Sequence, residues 1–184
     1  MSSTSAPFGL RAVYSPSGVV RPQAMTILTA YAANILQNQP VKIGTNGTVE
    51  AAAIGDSFIG TFSGVEFTDT DGRRRVSNKW TASTSATDII AYVTLDPTMV
   101  YEIQSNAALN VLNIGEQYDF TTITAGSTTT GLSQLMLDVA SSAANASLRL
   151  IGITPGPDNN WGDTYVIAQV QISEHQNVAK IAAY

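Results

Sequence analysis

Two stretches of this chain offer oxygen ligands at a spacing that suits a hard cation. Asp69-Thr70-Asp71-Gly72 sets two carboxylates two residues apart, and Asp158-Asn159-Asn160-Trp161-Gly162-Asp163 is a second oxygen-rich run. The first lacks the distal acid of an EF-hand loop, because Arg73, Arg74 and Arg75 follow it. Asp and Asn in such runs commonly cap their own backbone, so both runs are read as turns, and no metal or other cofactor is expected. The only histidine, His175, follows the last expected strand in SEHQN, with no nucleophile elbow or partner ligand in view. It is read as a packing or hydrogen-bonding residue. There is no Walker loop, no H-E-x-x-H and no cysteine, so no catalytic residue is assigned and the chain is not expected to be an enzyme.

Aromatic side chains are a third chemical resource. Trp80, Trp161, Tyr92, Tyr101 and Tyr165 are of the types that stack on sugar rings, yet they fall on separate strands, which favours packing in a core. A carbohydrate-binding β-domain displayed on a virion or cell surface is carried as the alternative function on these residues.

The arginines stand out more. Three of the nine basic residues sit together at Arg73–Arg75, and on a strand they must alternate between faces. Each then needs water, a carboxylate or a partner. They lie in the stretch Phe58 to Trp80, which reads as two long strands joined at Asp71-Gly72. Strict alternation puts Phe58, Gly60, Phe62, Gly64, Glu66 and Thr68 on one face and Ile59, Thr61, Ser63, Val65, Phe67 and Asp69 on the other. Neither face is cleanly apolar, and the interleaved glycines predict a bend or a close approach of another backbone.

The elements around this hairpin are short. Val41 to Ala53 forms a second hairpin about Asn46-Gly47, and Ile89–Val93, Met99–Gln104, Gly131–Val139, Ser147–Thr154 and Tyr165–Ile172 are strand candidates. Met25–Leu36 fits either helix or strand, Asn106–Phe120 a short helix or a crossover, and Thr121–Thr130 a surface loop. The expected fold is mainly β: a compact barrel or sandwich, tulip-like or jelly-roll-like, with at most one or two short helices. Residues 1–24 carry Pro7, Pro16 and Pro22 among apolar residues. They are expected as an extended arm that becomes ordered on another surface, with 25–184 as one β-rich domain.

Composition narrows the partners. A chain of 184 residues supports one core of ordinary size. Net charge is −5, which argues against nucleic acid, and no segment approaches a membrane span. The beginning, MSSTSAPFGLRAVYSPSG, lacks a basic region followed by an apolar one, so synthesis in a cytosol is expected. Charged residues are only 12% and apolar residues 44%, a poorly charged surface that is easily desolvated against other proteins.

The runs YAANILQNQPVKIGTNGTVEAA and IGTFSGVEFTDTDGRRRVSNKW, the closing EHQ and the segment APFGLRAVYSPSG resemble the capsid decoration (cement) proteins of tailed bacteriophages. The resemblance covers about the first hundred residues best. It implies a non-enzymatic virion protein, made in the host bacterial cytoplasm, that binds the outer surface of the expanded head and stabilises it. It further implies the major capsid protein as partner and a homotrimer as the attached form. Pro7, Phe8, Leu10, Val13, Tyr14 and Pro16 would then anchor the arm on the capsid, and Arg73, Arg74 and Arg75 would meet capsid carboxylates or a neighbouring subunit. Deleting residues 1–22 would leave a folded protein that no longer attaches.

Overall fold

The computed structural model describes residues 2–122 and 124–178. In chain order the strands are β1 (Arg11–Tyr14), β2 (Pro22–Met25), β3 (Ile35–Leu36), β4 (Pro40–Ile43), β5 (Val49–Ala51), β6 (Gly60–Asp69), β7 (Arg74–Ser77) and β8 (Lys79–Trp80). There follow β9 (Ala86–Thr94), β10 (Val100–Gln104), β11 (Gln117–Phe120), β12 (Gly126–Ser127), β13 (Leu132–Ser133), β14 (Leu137–Asp138), β15 (Leu148–Ile153) and β16 (Ile167–Ile172). Two three-residue 3₁₀ turns, Val111–Asn113 and Val139–Ser141, are the helical elements among the described residues. The mainly β expectation holds. Met25–Leu36 becomes β2, an irregular stretch and β3, and the crossover reading of Asn106–Phe120 is the one adopted, with one 3₁₀ turn leading into β11.

Strands β3 with β8 and β12 with β13 form separate two-stranded pairs, and the other twelve form two antiparallel sheets. One runs β1-β10-β16-β15-β11-β14; the other runs β2-β9-β6-β4-β5, with β7 beside the far half of β6. Each sheet has its own apolar cluster. Tyr101, Tyr118, Phe58, Phe120 and the alternating Val166, Ala168, Val170 and Ile172 fill the first, and Trp80, Phe62, Phe67, Val65 and Val93 fill the second. Edge-to-face aromatic pairs sit in both: Phe58 with Phe120 at 6.0 Å and Phe67 with Trp80 at 5.6 Å between ring centroids. Phe58 and Ile59, adjacent in the chain, enter different clusters, so the approach to β6 runs between the two.

Strand β6 is where strict alternation fails. Phe62 opposes Val93 and Gly64 opposes Tyr92, leaving Ser63 as an extra residue, a β-bulge. The bulge shifts the phase by one, so Phe62 and then Val65 and Phe67 all turn inward. The two faces expected from the sequence are therefore corrected at Ser63. Both hairpin turns are three-residue loops. Asp69 N–H donates to Arg73 O at 3.0 Å and Gly72 N–H to Asp69 O at 2.9 Å, and Gly44 and Thr48 repeat the pattern with Gly44 N–H to Thr48 O at 2.9 Å. Gly72 (φ 78°) and Gly47 (φ 74°) close them in the left-handed conformation.

Residues 2–25 are bound by the chain itself. Successive pairs Arg11–Glu102, Tyr14–Val100, Pro22–Thr94 and Met25–Ala91 show that β1 and β2 follow β10 and β9 backwards from one sheet into the other. The segment is a ribbon stapling both sheets, and its β2 crosses the boundary expected at 24/25. Leu10 is fully buried in the first cluster. This corrects its expected role as an exposed capsid anchor: an apolar side chain that fills its own core is not available to a partner. A second staple lies at the other end. Phe58 N–H donates to Glu174 O and Gln176 N–H to Phe58 O, both at 3.1 Å, joining the segment after β16 to the approach to β6.

Candidate interaction surfaces

The arginines are answered largely by the hairpin that carries them. Arg75 bridges Asp69 at 2.5 Å and Asp71 at 2.9 Å, and Arg74 on the opposite face reaches Glu66 at 3.3 Å and donates to Asp88 O at 2.7 Å. Asp88 is the extra residue of a bulge on β9, in the left-handed conformation at φ 49°, which turns its carbonyl to meet that guanidinium. Arg73 is different. Its side chain is 81% exposed, and its carboxylate contact, Asp71 at 3.8 Å, already serves Arg75. Of the three, Arg73 is the one presented outward with binding capacity to spare.

The same hydrogen bonds settle what the Asp69-Asp71 oxygens do. Thr70 N–H and Arg75 take the two oxygens of Asp69, and Arg73 N–H and Arg75 take those of Asp71. The bond from Thr70 N–H, with Arg75 beside it, holds the Asp69 carboxyl below its ordinary pKa. In the Asp158–Asp163 loop, Asn159 is buried as a bracket: its amide donates to Thr154 O at 2.8 Å and Ile167 O at 3.0 Å, while its oxygen accepts from Ile167 N–H. Asp163 accepts from Asn160 N–H at 2.8 Å and from the Ser2 hydroxyl. The first run is a self-capped turn, as read from the sequence; the second caps itself only through Asp163 and Asn160 and is otherwise tied to Thr154, Ile167 and Ser2.

A second surface lies where the N-terminal ribbon crosses between sheets. The chain bulges out over 15–21 between β1 and β2, and Val13, Tyr14, Val19 and Val20 stand exposed on its flanks, Val19 at 59%. The turn beneath them is rigidly held. Gly18 N–H donates to Ser15 O at 2.8 Å, and the buried Ser15 hydroxyl bonds Ser17 Oγ at 2.9 Å and the Asp96 carboxylate. Ser15 and then Thr98 hold Asp96 below the ordinary carboxylate range. Of the expected anchors, Val13, Tyr14 and Pro16 are on this turn and exposed; Pro7 and Phe8 are half-buried, with the Arg11 guanidinium 4.7 Å from the Phe8 ring centroid. The structure does not bring Arg73–Arg75 onto this turn: they belong to the β6–β7 hairpin.

The aromatic residues form no common face. Trp80 and Tyr101 are buried in different clusters, Trp161 packs against the first, and Tyr92 donates to Glu66 at 2.7 Å on the outer face of the β6 sheet. His175 is 4% exposed where the chain passes Phe58, and its Nδ1 accepts from Asn177 N–H at 3.1 Å. Its Nε2 has no hydrogen-bond partner among the described residues. Burial pushes the imidazole below its ordinary pKa; the carbonyls of Ile59 and Leu95 and the Asp96 carboxylate oppose this without closing a hydrogen bond to Nε2.

No family model, curated protein or solved structure matches the chain. Its surfaces therefore have to be read from their own chemistry. Two exposed apolar sites escaped the sequence reading. Leu112, 88% exposed on the Val111–Asn113 turn, was hidden in a run of spaced apolar residues; the signal was Asn110 and Asn113, whose bond from Asn110 N–H to Asn113 Oδ1 at 2.8 Å closes the turn and points the leucine out. Val76, 80% exposed, follows three arginines on β7, and β-branched character mid-strand gave no sign of its exposure.

Proposed function

We propose that the chain is a capsid-binding structural protein of a tailed bacteriophage, attached to the outer surface of the expanded head. The resemblance of its sequence to decoration proteins supports the reading. The structural observation that carries it is the turn flanked by Val13, Tyr14, Val19 and Val20, where four exposed apolar side chains stand on a backbone already ordered by Ser15 and Asp96. An apolar ridge fixed in advance binds without the entropic cost of ordering a free tail. Attachment is then by a folded turn and not by a loose arm.

The physical role follows from linkage. A block that fits the expanded lattice and not the compact one stabilises the expanded state by mass action. A homotrimer on the shell, as the resemblance implies, engages several sites at once, and each contact raises the effective concentration of the next. No catalytic step enters.

Co-sedimentation of the full chain with expanded and unexpanded heads of its cognate phage tests this. Binding to expanded heads alone is expected, and a Val13→Ser/Tyr14→Ser variant with an unchanged melting transition should stay in the supernatant. Full attachment by that variant would overturn the role of the turn; absence of the wild-type chain from both head pellets would overturn the capsid reading.

A further inference from the structure

Strand β7 has a partner on one side. The bond from Asp69 N–H to Arg73 O sets the phase of the ladder, so Arg73, Arg75 and Ser77 turn their backbone groups toward β6. Arg74 and Val76 turn theirs away, and no backbone bond among the described residues receives them. Exposed edges of this kind accept another strand. The face beside the edge is shaped to match. Gly64 opposes Tyr92 on β9 and contributes no side chain, and Val76 opposes Glu66, whose carboxylate accepts from Tyr92. The result is an open groove of about 570 Å³ with Gly64 as its floor and Val76, Tyr92, Pro22 and Asn78 around it. It is large enough for one bulky apolar side chain.

We infer that the β7 edge binds an extended segment of another polypeptide by strand addition, seating a bulky apolar side chain over Gly64 and a carboxylate farther along the segment on Arg73. Charge decides the occupant. Arg75 and Arg74 are held by Asp69, Asp71 and Glu66, which leaves Arg73 as the exposed cation at the end of the edge. Self-pairing of β7 would set the arginines of two copies beside one another, whereas an acidic foreign strand complements them. Backbone pairing supplies affinity, and the groove and Arg73 supply selectivity. The inference does not rest on the capsid reading, because the occupant is defined by its chemistry.

A displayed library of cysteine-free ten-residue segments, selected on the immobilised full chain and counter-selected on Val76→Pro, tests it. Residue 76 turns its amide away from β6, so proline there removes an outward donor and leaves the hairpin ladder in place. The expected winners alternate polar and apolar residues and carry Asp or Glu several residues along from a bulky apolar one. Synthetic copies should bind the wild-type chain at least tenfold more tightly than Arg73→Glu, lose at least tenfold when N-methylated at alternate residues, and shift the amides of Gly64, Val76 and Tyr92. Enrichment of no segment, or of segments indifferent to N-methylation and to Arg73→Glu, would overturn the inference; these arms hold even if Val76→Pro does not fold. A concentration-dependent dimer of the chain alone, abolished by Val76→Ser, would assign the edge to a second copy and equally overturn it.

Discussion

The carbonyl oxygen of Thr94 lies 1.6 Å from the point where a Cβ on Gly60 would stand. Gly60 (φ 151°) opens β6, and Thr94 ends β9 just before the chain crosses to the other sheet. The long hydrogen bond from the buried Tyr101 hydroxyl to the same carbonyl, 3.5 Å, ties the first cluster to this point. Any side chain at residue 60 must push the two strands apart at the junction between sheets. Gly60→Ala is expected to cost about 3 kcal/mol or more, read as a lower urea midpoint at constant slope. An unchanged midpoint would show that β6 shifts freely and that the contact does not constrain it.

Glu102 shows how firmly the N-terminal ribbon is fastened. It is 5% exposed and accepts from Arg11 at 2.5 Å and from the Thr154 hydroxyl at 2.8 Å. Arg11→Ala strips the carboxylate of its cation while leaving it enclosed. With Arg11 half in water, a loss of about 2 kcal/mol is expected, less than for a fully buried pair. Adding Glu102→Gln should recover most of it in a double-mutant cycle. Equal losses in the single and double variants would mean that Arg11 acts through packing on Phe8. Removal of residues 1–22, which the sequence alone made look harmless, takes Leu10 from a core, all of β1 from one sheet and the first residue of β2 from the other, and is expected to abolish cooperative unfolding.

His175 sets the response to mild acid. Its folded pKa lies below the ordinary value of 6.5, so the unfolded chain takes up the proton first. Its contribution is complete above 6.5 and is lost as pH falls from there toward the folded value. The depressed carboxylates Asp56, Asp69 and Asp96 act lower, below their ordinary 3.8, where protonation removes stability they confer above it. Melting temperature should therefore fall between pH 7 and pH 5 in the wild-type chain and stay nearly level in His175→Gln. A wild-type profile flat over that range would show the imidazole to be solvated.

The two hairpins, β10, β15 and β16 were legible because each is a local pattern: a glycine able to turn left-handed, or apolar residues at every second position. What was not legible depends on partners far along the chain. Nothing near Leu10 announces that Met99 to Gln104 will lie beside it, so a proline-spaced segment with exposed and buried apolar residues read as a free arm. Arg73–Arg75 were legible as a cluster, but the pairing of Arg74 with Glu66 and Asp88 required the register of β6 against β7 and β9. The exposure of Val76 depends on which edges stay unpaired. Such information lies in topology, which period and composition do not carry.

One side chain ties the closing segment to β4. Gln176 accepts from Ile43 N–H at 2.7 Å and donates to Ile43 O at 3.2 Å, completing the end of β4 as a neighbouring strand would. Gln176→Ala returns both groups to water and is expected to cost about 1 kcal/mol, with faster exchange of the Ile43 amide. Gln176→Glu keeps an acceptor but lacks a donor at neutral pH, so the Ile43 amide should stay more protected than in Gln176→Ala. Equal exchange in both variants would show that the Gln176 side chain does not protect the amide.

Ser63 gives the sharpest test of what the bulge in β6 does. Its side chain is half-exposed and enters no apolar cluster, so Ser63→Ala should change stability by about 0.5 kcal/mol or less. Deleting the residue keeps every apolar side chain in the sequence but removes the phase shift. Either Phe62 must then face outward or Val65 and Phe67 must, since a one-residue slip exchanges the faces of a strand. Phe67 would lose its edge-to-face contact with Trp80, and Val65 its place beside Phe62 and Val93. The deletion is expected to abolish the cooperative transition and to bind a hydrophobic dye, while Ser63→Ala does neither. A deletion variant that melts like the wild-type chain would mean that β9 moves the bulge to its own side, where Asp88 already provides one.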